Sequence, residues 1–151
     1  MRAMDAMRKT PVTIDADESI RAAAQLMDVN AVGALVVLDG GRPTGIVTDR
    51  DLVVRGVARG VPFDARVDNV MTTELVTLPA DADLRAALPI FRQHAFRRLP
   101  LTQGDTVIGM LTVDDLLVDV IADLSDLARP ITGEVIFGHP EPQVPAAIVR
   151  E

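Results

Sequence analysis

One stretch of this sequence occurs twice, and the offset between its copies is 64 residues. The first copy, Gly45 to Leu52, reads GIVTDRDL, and the second, Gly109 to Leu116, reads GMLTVDDL. Sliding the chain along itself by the same offset keeps a gapless match, which pairs Met7 with Met71, Val12 with Val76, Ala16 with Ala80, Arg21 with Arg85 and Gly40 with Gly104. Self-similarity at one fixed period indicates a tandem duplication. The chain is therefore predicted to fold as two copies of one unit.

Length and composition restrict how these two copies can be stable. The 151 residues amount to about one ordinary domain. Each repeat alone would bury too little surface, so the halves are expected to share a core. Hydrophobic residues make up 48% of the chain and aromatic residues 3%, which predicts a globular protein with an aliphatic core. The absence of cysteine excludes disulfides, thiolate metal sites and cysteine nucleophiles.

Charge and hydropathy argue against two classes of partner. The net charge is −7, whereas a surface for nucleic acid or an anionic membrane needs a continuous positive face. The longest apolar run, Ala31 to Leu38, is far shorter than the roughly 20 residues that span a bilayer. The first residues lack the apolar region of a signal peptide. A cytoplasmic protein without nucleic-acid or membrane partners is expected.

Hydrophobic periodicity predicts the same succession in each repeat, a βαββα order after a short helical turn. In the first repeat the predicted elements are a turn at Met4–Met7, strands at Pro11–Ile14, Ala34–Leu38 and Thr44–Val47, and helices after Asp17 and from Thr48 to about Arg59. In the second they are a turn at Asp68–Met71, strands at Leu75–Leu78, Leu99–Leu101 and Val107–Leu111, and helices from about Ala82 to His94 and from Val113 to about Leu127. The predicted fold class is accordingly α+β.

Two residues predict details of these helices. Asp17 precedes the first apolar stripe, and its carboxylate can accept the free amides of a first helical turn. Pro89 falls inside the helix predicted from about Ala82 to His94. Because an interior proline costs roughly 3 kcal/mol, that helix is expected to be kinked or to start late.

The repeats are predicted to form one module at residues 1–127, with repeat one at about 4–60 and repeat two at about 68–124. The connector from Gly60 to Val67 is too short for independent halves. The repeat pattern stops at residue 128, after which prolines and glycines punctuate the chain. Residues 128–151 are predicted to be a C-terminal extension that packs on the module or on a dimer mate, with one strand at Glu134–Phe137.

The repeated motif Thr-x-x-Asp supports two interpretations. Thr48 and Thr112 each open a predicted helix, with Asp51 or Asp115 three residues on. The unpaired amides and the dipole of such a helix start attract anions. The same spacing is also a capping box, in which the threonine and the aspartate satisfy amides of their own helix. The residues alone favour the cap and leave the anion site open.

The pattern Gly-x-x-Thr-x-x-Asp, closing a βαββα repeat that occurs twice, resembles the cystathionine β-synthase (CBS) domain family and its paired form, the Bateman module. The resemblance covers roughly Met4 to Leu124. It implies two repeats related by a pseudo-twofold axis, with adenine bound between strands at their interface. In such domains the aspartate receives ribose hydroxyls and the threonine lies near phosphate. Carried over to this chain, the ligand-binding residues would be Thr48, Asp51, Thr112 and Asp115.

The stretch from Arg97 to Pro100 resembles the basic pair that precedes the middle strand in many nucleotide-binding members. The resemblance adds Arg97, Arg98 and Pro100 to the predicted site. Two adjacent guanidinium groups repel each other unless an anion neutralises them. A pair of surface arginines in an acidic protein is the alternative interpretation.

The first repeat carries Gly33-Ala34 at the positions of this arginine pair. Arg42 and Arg50 are the cations that could substitute there. The two pockets are therefore expected to be unequal, with one strong site for phosphorylated ligands. Which motif aspartate shares that site with the arginine pair is left open by the sequence.

No catalytic or metal site is predicted. His94 is the only histidine of the module, and nothing near it in the sequence completes a metal set. His139 lies in the extension, equally without partners. No Ser-His-Asp set or carboxylate pair stands out from the many aspartates. The chain is expected to have no enzymatic activity and to require no cofactor.

The predicted function is that of a stand-alone regulatory module. It would bind an adenosine-containing ligand (AMP, ATP, S-adenosylmethionine or similar) and signal occupancy to a separate protein by a conformational change. A homodimer is expected, because the helices after Ile20, Leu84, Thr48 and Thr112 have apolar faces to spare. The alternative is a structural dimer or protein-interaction module without nucleotide affinity, which the uncharged Gly33-Ala34 pair keeps open.

Overall fold

The computed structural model describes residues 1–7, 10–94 and 96–137, and for residues 128–137 it describes the backbone alone. The first repeat contains α1 (Ala3–Ala6), β1 (Thr13–Asp15), α2 (Ile20–Asn30), β2 (Ala34–Asp39), β3 (Arg42–Thr48) and α3 (Asp49–Asp51), which continues as a π-helical turn (Leu52–Gly56) and a 3₁₀ turn (Val57–Arg59). The second contains a 3₁₀ turn (Val67–Asn69), β4 (Leu78–Pro79), a 3₁₀ turn (Leu84–Ala86), α4 (Ala87–Gln93), β5 (Arg98–Gln103), β6 (Thr106–Thr112) and α5 (Val113–Phe137). This order confirms the predicted βαββα repeat and the α+β class.

Each repeat forms a three-stranded sheet with the same topology. β1 pairs with β2 in parallel and β2 pairs with β3 antiparallel, and β4, β5 and β6 repeat this arrangement. Ala34, at the start of β2, lies opposite Thr48, and Arg98, at the start of β5, lies opposite Thr112. Residues directly opposite each other in an antiparallel pair project to the same face. The register therefore places an alanine beside one motif threonine and an arginine beside the other.

The two halves have separate hydrophobic cores, and the expectation of one shared core is wrong. α1, the first element of the chain, packs into the core of the second repeat, where Ala3 and Ala6 are buried. The Ala3 N–H donates to the carbonyl of Ala82 at 2.8 Å. Val67 and Val70, at the start of the second repeat, are buried in the core of the first. The repeats thus exchange their leading segments, and this exchange makes the halves interdependent.

The first residue of the repeated motif, Gly45 or Gly109, leaves space for the segment donated by the other half. A Cβ added to Gly45 on β3 would lie 2.5 Å from the carbonyl oxygen of Thr72. Thr72 and Ile46 exchange backbone hydrogen bonds of 2.8 and 3.0 Å, which join the incoming segment to β3. At Gly109 the side chain of Met7 occupies the equivalent space. A side chain at Gly45 would therefore displace the backbone of the segment donated by the other half, and one at Gly109 would displace the side chain of Met7.

The residue that caps α2 differs from the prediction. Ser19 is the cap, not Asp17, because the Ser19 hydroxyl accepts the Ala22 N–H at 3.0 Å. The helix begins at the residue after Ser19, so Asp17 precedes the capping position. Asp83, which corresponds to Ser19 in the second repeat, accepts the Arg85 N–H at 2.8 Å. Both repeats thus use a short polar side chain at the same register position.

Pro89 delays the helix of the second repeat, as its position predicts. A 3₁₀ turn at Leu84–Ala86 precedes α4, which begins only at Ala87. Pro89 consequently lies in the first turn of α4. The N–H groups of a first turn have no intrahelical acceptor, so the missing proton of a proline costs little there.

Helix α5 extends well past Leu127, where it was expected to end. The predicted strand at Glu134–Phe137 is wrong, because these residues belong to the same helix. Apolar residues continue at helical spacing through Ile131 and Val135, which accounts for the continuation. Residues 1–117 form one compact unit and the chain from Val118 a second. Residues 138–151, with the histidine of the predicted extension, lie outside the described residues.

No helix in the described ranges, α5 included, combines the length and the apolar character needed to cross a bilayer.

Candidate ligand-binding pockets

Two pockets are each lined by residues of both repeats. The first, named here the Asp51 pocket, has a volume of about 480 Å³. The second, the Asp115 pocket, has a volume of about 370 Å³. Both volumes fall within the range of roughly 300 to 1,000 Å³ that is typical of small-molecule sites.

The Asp51 pocket combines a charged lining with an apolar one. Its charged residues are four arginines and three carboxylates, namely Arg50, Arg55, Arg97 and Arg98 with Asp49, Asp51 and Glu74. Its apolar and aromatic residues are Ile46, Leu75, Val76, Phe96 and Pro100. Among the described lining residues the cations therefore outnumber the anions, in a chain whose overall charge is strongly negative.

The Asp115 pocket has the opposite balance. Its charged lining residues in the described ranges are Arg98, Asp114 and Asp115. The rest of its lining is small and mainly apolar, and includes Pro11, Val12, Ala31, Val32, Gly33, Ala34 and Met110. Among its described lining residues, the pocket beside the Gly33-Ala34 pair thus has one cation, against four in the other pocket.

The motif threonines and aspartates form capping boxes in both repeats. The Thr48 N–H donates to Asp51 Oδ2 at 3.0 Å, and the Asp51 N–H donates to Thr48 Oγ1 at 3.1 Å. Thr112 and Asp115 make the same two bonds at 3.0 and 3.1 Å, and the Thr112 hydroxyl also donates to Asp115 Oδ2 at 2.6 Å. The cap interpretation of the motif is confirmed. In the first repeat it is compatible with a ligand, because a carboxylate has about four lone-pair sites and the capping bond uses one of those of Asp51.

The start of α3 does not offer unpaired amides to an anion. The Asp49 N–H donates to the carbonyl of Gly33 at 3.1 Å, the Arg50 N–H donates to Asp49 Oδ1 at 2.8 Å, and the Asp51 N–H donates to the capping threonine. The predicted attraction of anions by these amides is wrong for this repeat, because the Asp49 carboxylate already occupies that place. Val113 stands at the equivalent position of the second repeat, and its side chain cannot accept a hydrogen bond. Positive charge in the Asp51 pocket must come from side chains.

Arg55 joins the Asp51 pocket to the segment donated by the other half. It lies in the π-helical turn Leu52–Gly56, a distortion that is frequent at functional sites. Its Nη1 donates to the carbonyl of Met71 at 2.9 Å, and its Nε lies 3.7 Å from Asp51 Oδ1. The Asp51 side chain is only 15% exposed, so solvent screens this pair less than a surface ion pair. Asp119 stands at the equivalent position of the second repeat.

Arg98 is the one side chain, within the described residues, that lines both pockets. Its side chain reaches from β5 to Gly33 of the first repeat. A Cβ added to Gly33 would lie 2.7 Å from Arg98 Nη2 and 2.9 Å from Asp49 Oδ2. The guanidinium and the carboxylate therefore converge above a residue that has no side chain of its own.

Two aromatic rings form part of the wall of the Asp51 pocket. His94, the residue that follows the last residue of α4, stacks on Phe96 with ring centroids 5.1 Å apart and planes 18° apart. Phe91 meets Phe96 edge to face, at 6.3 Å between centroids. Aromatic rings are groups on which a planar base can stack.

The structure sorts the predicted site residues into the two pockets. Thr48, Asp51, Arg97, Arg98 and Pro100 line the Asp51 pocket, and Thr112 and Asp115 line the Asp115 pocket together with Arg98. The arginine pair thus accompanies Asp51, which is the assignment that the sequence left open. Of the two alternative cations, Arg50 lines the Asp51 pocket, whereas Arg42 lies at the β2–β3 turn opposite Asp39.

Sequence reasoning missed several lining residues, among them Asp49, Arg55, Glu74, Phe96 and Asp114. Asp49 and Arg55 have a detectable signal, because each breaks the match between the repeats close to the motif. Glu74 and Phe96 have no such signal, since they join the pocket only through the packing of one repeat on the other. Across the described ranges, no group of three or more His, Asp or Glu side chains is arranged to hold a metal ion.

Known proteins resemble this chain in sequence and in fold. The sequence model of the CBS domain family matches residues 3–56 and, a second time, residues 67–121. The CBS domain-containing protein YhcV of Bacillus subtilis is 34% identical over 121 residues, covering 80% of this chain and 86% of that protein.

Two solved structures with low sequence identity share the fold. A CBS domain protein from Pyrobaculum aerophilum, complexed with AMP, has a TM-score of 0.70 and 23% identity, covering 77% of this chain and 90% of the other. A CBS domain pair in complex with 5′-methylthioadenosine and S-adenosyl-L-methionine has a TM-score of 0.72 and 20% identity, covering 82% of this chain and 98% of the other.

Proposed function

The chain belongs to the CBS domain family, whose domain it carries as a tandem pair, and from that premise we propose that it is a regulatory module that senses an adenosine-containing ligand. The module spans residues 1–127, with repeats at about 4–60 and 68–124. Occupancy of its pockets changes its conformation, and a separate protein in the cytoplasm responds to that change. No catalytic step is part of the proposal.

The composition of the Asp51 pocket is the observation that carries this proposal. Its arginines present planar pairs of N–H donors, which suit phosphate oxygens. Its aromatic and apolar wall offers a surface for a purine base. A ligand with a base at one end and a phosphate at the other satisfies both parts of the pocket. AMP, which the related protein from Pyrobaculum aerophilum binds, has this form.

In the proposed site, Asp51 receives the ribose hydroxyls. The capping bond from the Thr48 N–H holds one carboxylate oxygen in place. The remaining lone-pair sites of the carboxylate can accept two hydroxyl protons. A carboxylate already fixed by the fold loses little side-chain entropy on binding. In this assignment Thr48 lies toward the phosphate, and Arg97, Arg98 and Pro100 complete the site.

The Asp115 pocket is proposed as a second site with a different charge preference. Asp115 and Thr112 repeat the ribose-binding arrangement, but the lining has one described cation against two carboxylates. An adenosine derivative with little or no negative charge suits that balance. Adenosine derivatives without phosphate occur in the related pair bound to 5′-methylthioadenosine and S-adenosyl-L-methionine.

A thermal-shift screen with adenosine, AMP, ATP and S-adenosylmethionine tests the proposed function. A ligand at 100 times its dissociation constant adds roughly 2.7 kcal/mol to the free energy of unfolding, which raises the melting temperature of a domain of this size by several degrees. AMP and ATP are expected to give the larger shifts. No shift with any of the four at millimolar concentration would rule out the sensor and leave the interaction module.

Exposed apolar side chains favour a homodimer as well. On the helical segment after Thr48, Val53 and Val57 are each 59% exposed. On α5, Leu117, Ile121 and Leu124 are 50%, 60% and 59% exposed and follow helical spacing. Contiguous apolar stripes of this kind mark interaction surfaces, and a twofold pair is the simplest closed assembly that covers them.

Sedimentation at micromolar concentration tests the homodimer. Two chains per particle are expected, and Ile121→Asp should shift the particle toward a single chain. A single-chain species in the wild type would contradict the dimer. A dimer that gives no thermal shift with any adenosine ligand would support the structural module instead of the sensor.

A further inference from the structure

One guanidinium serves two pockets in this protein. Arg98 lines both, and its Nη2 lies close above Gly33 at the boundary between them. A phosphate held by two parallel N–H donors fixes the rotamer of the arginine that holds it. A rotamer that presents the guanidinium to a ligand in one pocket withdraws it from a ligand in the other.

The two pockets depend on Arg98 to different degrees. The Asp51 pocket retains three other arginines when Arg98 turns away. In the Asp115 pocket, Arg98 is the only cation among the described lining residues, which also include Asp114 and Asp115. Withdrawal of Arg98 therefore changes the charge balance of the Asp115 pocket far more than that of the Asp51 pocket.

We propose that Arg98 is a specificity-determining residue shared by both pockets, and that it makes the pockets compete for phosphate. The proposal rests on the proposed function, since it requires both pockets to bind adenosine ligands. A phosphorylated ligand in the Asp51 pocket draws the guanidinium to itself. The Asp115 pocket then discriminates against a second anion and accepts an uncharged or cationic adenosine derivative. The fully occupied molecule holds one ligand of each kind.

Gly33 makes this sharing possible. Its backbone does not have a positive φ, so an alanine at this position fits the backbone. The Cβ of that alanine would meet the ends of two flexible side chains, Arg98 and Asp49, and these can move. Gly33→Ala therefore displaces the guanidinium from the boundary without removing its charge. Gly56→Ala is a matched control, because a Cβ there would meet nothing within 4 Å.

A site-resolved NMR titration with AMP, and separately with adenosine, tests the coupling. The amide resonances of Asp51 and Asp115 report the two pockets. In the wild type, AMP fills the Asp51 pocket first, and its affinity for the Asp115 pocket is measured with the first pocket full. In Arg50→Ala/Arg97→Ala the Asp51 pocket is weakened, and the Asp115 pocket is measured with the first pocket empty.

The expected result is a gain of affinity in the Asp115 pocket, although neither substituted residue is among its described lining residues. The Asp115 pocket of the Arg50→Ala/Arg97→Ala variant should bind AMP at least about fivefold more tightly than that of the wild type, the lower end of the coupling typical of linked sites. Loss of Arg97 acts in the opposite direction, since Arg97 Nη2 lies 3.9 Å from Asp114 Oδ1 and partly offsets its charge. The gain can therefore be assigned to the release of Arg98.

Further variants isolate the contribution of Arg98. Adding Arg98→Ala or Gly33→Ala to the double variant should abolish the gain, whereas adding Gly56→Ala should leave it intact. Adenosine, which carries no phosphate, should bind the Asp115 pocket equally in all of these backgrounds. Thermal unfolding of each variant establishes that it is folded.

Three outcomes overturn the proposal. Equal AMP affinities of the Asp115 pocket in the wild type and in the double variant would show that the pockets are independent. A gain that survives Arg98→Ala would assign the coupling to another residue. In both cases the proposed function stands, because ligands still bind. No response of either pocket to AMP or to adenosine would overturn this proposal and the proposed function together.

Discussion

The two pockets have the same backbone frame and different charges. The Asp49 N–H donates to the carbonyl of Gly33 at 3.1 Å, and the Val113 N–H donates to the carbonyl of Arg97 at 3.1 Å. The capping bonds between backbone N–H and side-chain oxygen are 3.0 and 3.1 Å in both repeats. The residues around this frame differ between the repeats: Arg50 corresponds to Asp114, Arg55 to Asp119, Asp49 to Val113 and Arg97 to Gly33.

This difference indicates that the motif residues contribute mainly to folding, whereas the charged residues beside them contribute mainly to ligand binding. The Thr-x-x-Asp residues cap their own helices, so both repeats need them whether or not a ligand is present. Asp49 accepts the Arg50 N–H and Arg55 donates to the carbonyl of Met71. None of the flanking charges takes part in the capping bonds, however, so they can differ between the repeats without loss of the caps. The motif is therefore informative about the fold, and the flanking charges are informative about the ligand.

The largest effect is expected from removing the charge that distinguishes the Asp51 pocket. A charge-assisted hydrogen bond contributes roughly 1.5 to 3 kcal/mol, and the Arg97 side chain is 77% exposed, which favours the lower end. Arg97→Ala/Arg98→Ala should therefore weaken AMP binding by about 100-fold, or about 3 kcal/mol. Binding of adenosine should change little. Calorimetry with both ligands measures this contrast.

The control for the arginine pair is Arg42→Ala. Arg42 is an exposed residue at the β2–β3 turn and is not among the residues that line either pocket. Its replacement should leave AMP affinity unchanged. An unaltered AMP affinity in the Arg97→Ala/Arg98→Ala variant, or two equal sites in the wild type, would remove the asymmetry on which the comparison depends.

The next largest effect concerns stability and distinguishes the two motif glycines. Gly45→Ala places a Cβ 2.5 Å from a backbone oxygen, that of Thr72, so the two hydrogen bonds between Thr72 and Ile46 must yield. At a net 0.5 to 1.5 kcal/mol for each bond, a loss of about 1 to 3 kcal/mol in the free energy of unfolding is expected. At Gly109 the obstacle is the flexible side chain of Met7, so Gly109→Ala should cost less.

Urea denaturation of both glycine variants measures this difference. Equal losses of unfolding free energy in the two variants would mean that the carbonyl of Thr72 can move as easily as the side chain of Met7. The bridge between β3 and the donated segment would then be weaker than its hydrogen-bond distances indicate.

A smaller effect, present in both repeats, is expected from the capping aspartates. Asp51→Ala and Asp115→Ala each remove one cap and should lower the free energy of unfolding by about 0.5 to 2 kcal/mol. Only Asp51→Ala should also weaken AMP binding at the Asp51 pocket. Denaturation and calorimetry on both variants check the two effects. Loss of stability in one variant alone would show that the capping boxes are not equivalent.

The order of elements follows from the sequence because it depends on local patterns. The 64-residue offset and the apolar periodicity predict both sheets and the late start of α4 at Pro89. The exchange of leading segments does not follow, because it joins residues far apart in the chain, such as Ala3 and Ala82. Apolar residues at Val67 or Ala3 would fit either core, so composition alone gives no choice between one shared core and two.

The sequence likewise predicts only part of the candidate site. The motif residues can be found in the sequence because they recur in both repeats, and the arginine pair can be found because its two charges are adjacent. The distribution of these residues between the two pockets cannot be predicted from the sequence, since each pocket is lined by residues of both repeats. Arg55 shows why: its Nη1 bonds the carbonyl of Met71, 16 residues away. That contact exists only after the connecting segment has packed against β3.

The smallest effect is expected from the charge at Asp114, which stands where the first repeat has Arg50. Its side chain is 83% exposed and its contact with Arg97 is 3.9 Å long, so the pair contributes little to stability. A bound phosphate in the Asp115 pocket would nevertheless meet its negative charge. Asp114→Asn should therefore tighten AMP binding there by about two- to fivefold, or about 0.4 to 1 kcal/mol, the size typical of screened surface charges. The gain should fade in about 1 M salt, where the screening length drops to about 3 Å. Adenosine binding should not respond to the substitution at any salt concentration, because adenosine brings no charge to the pocket.

Site-resolved titrations at low and high salt measure all three results. An AMP gain that persists in high salt would mean that Asp114 acts through shape or hydrogen bonding, and the charge difference between the pockets would then not be what sets their preferences.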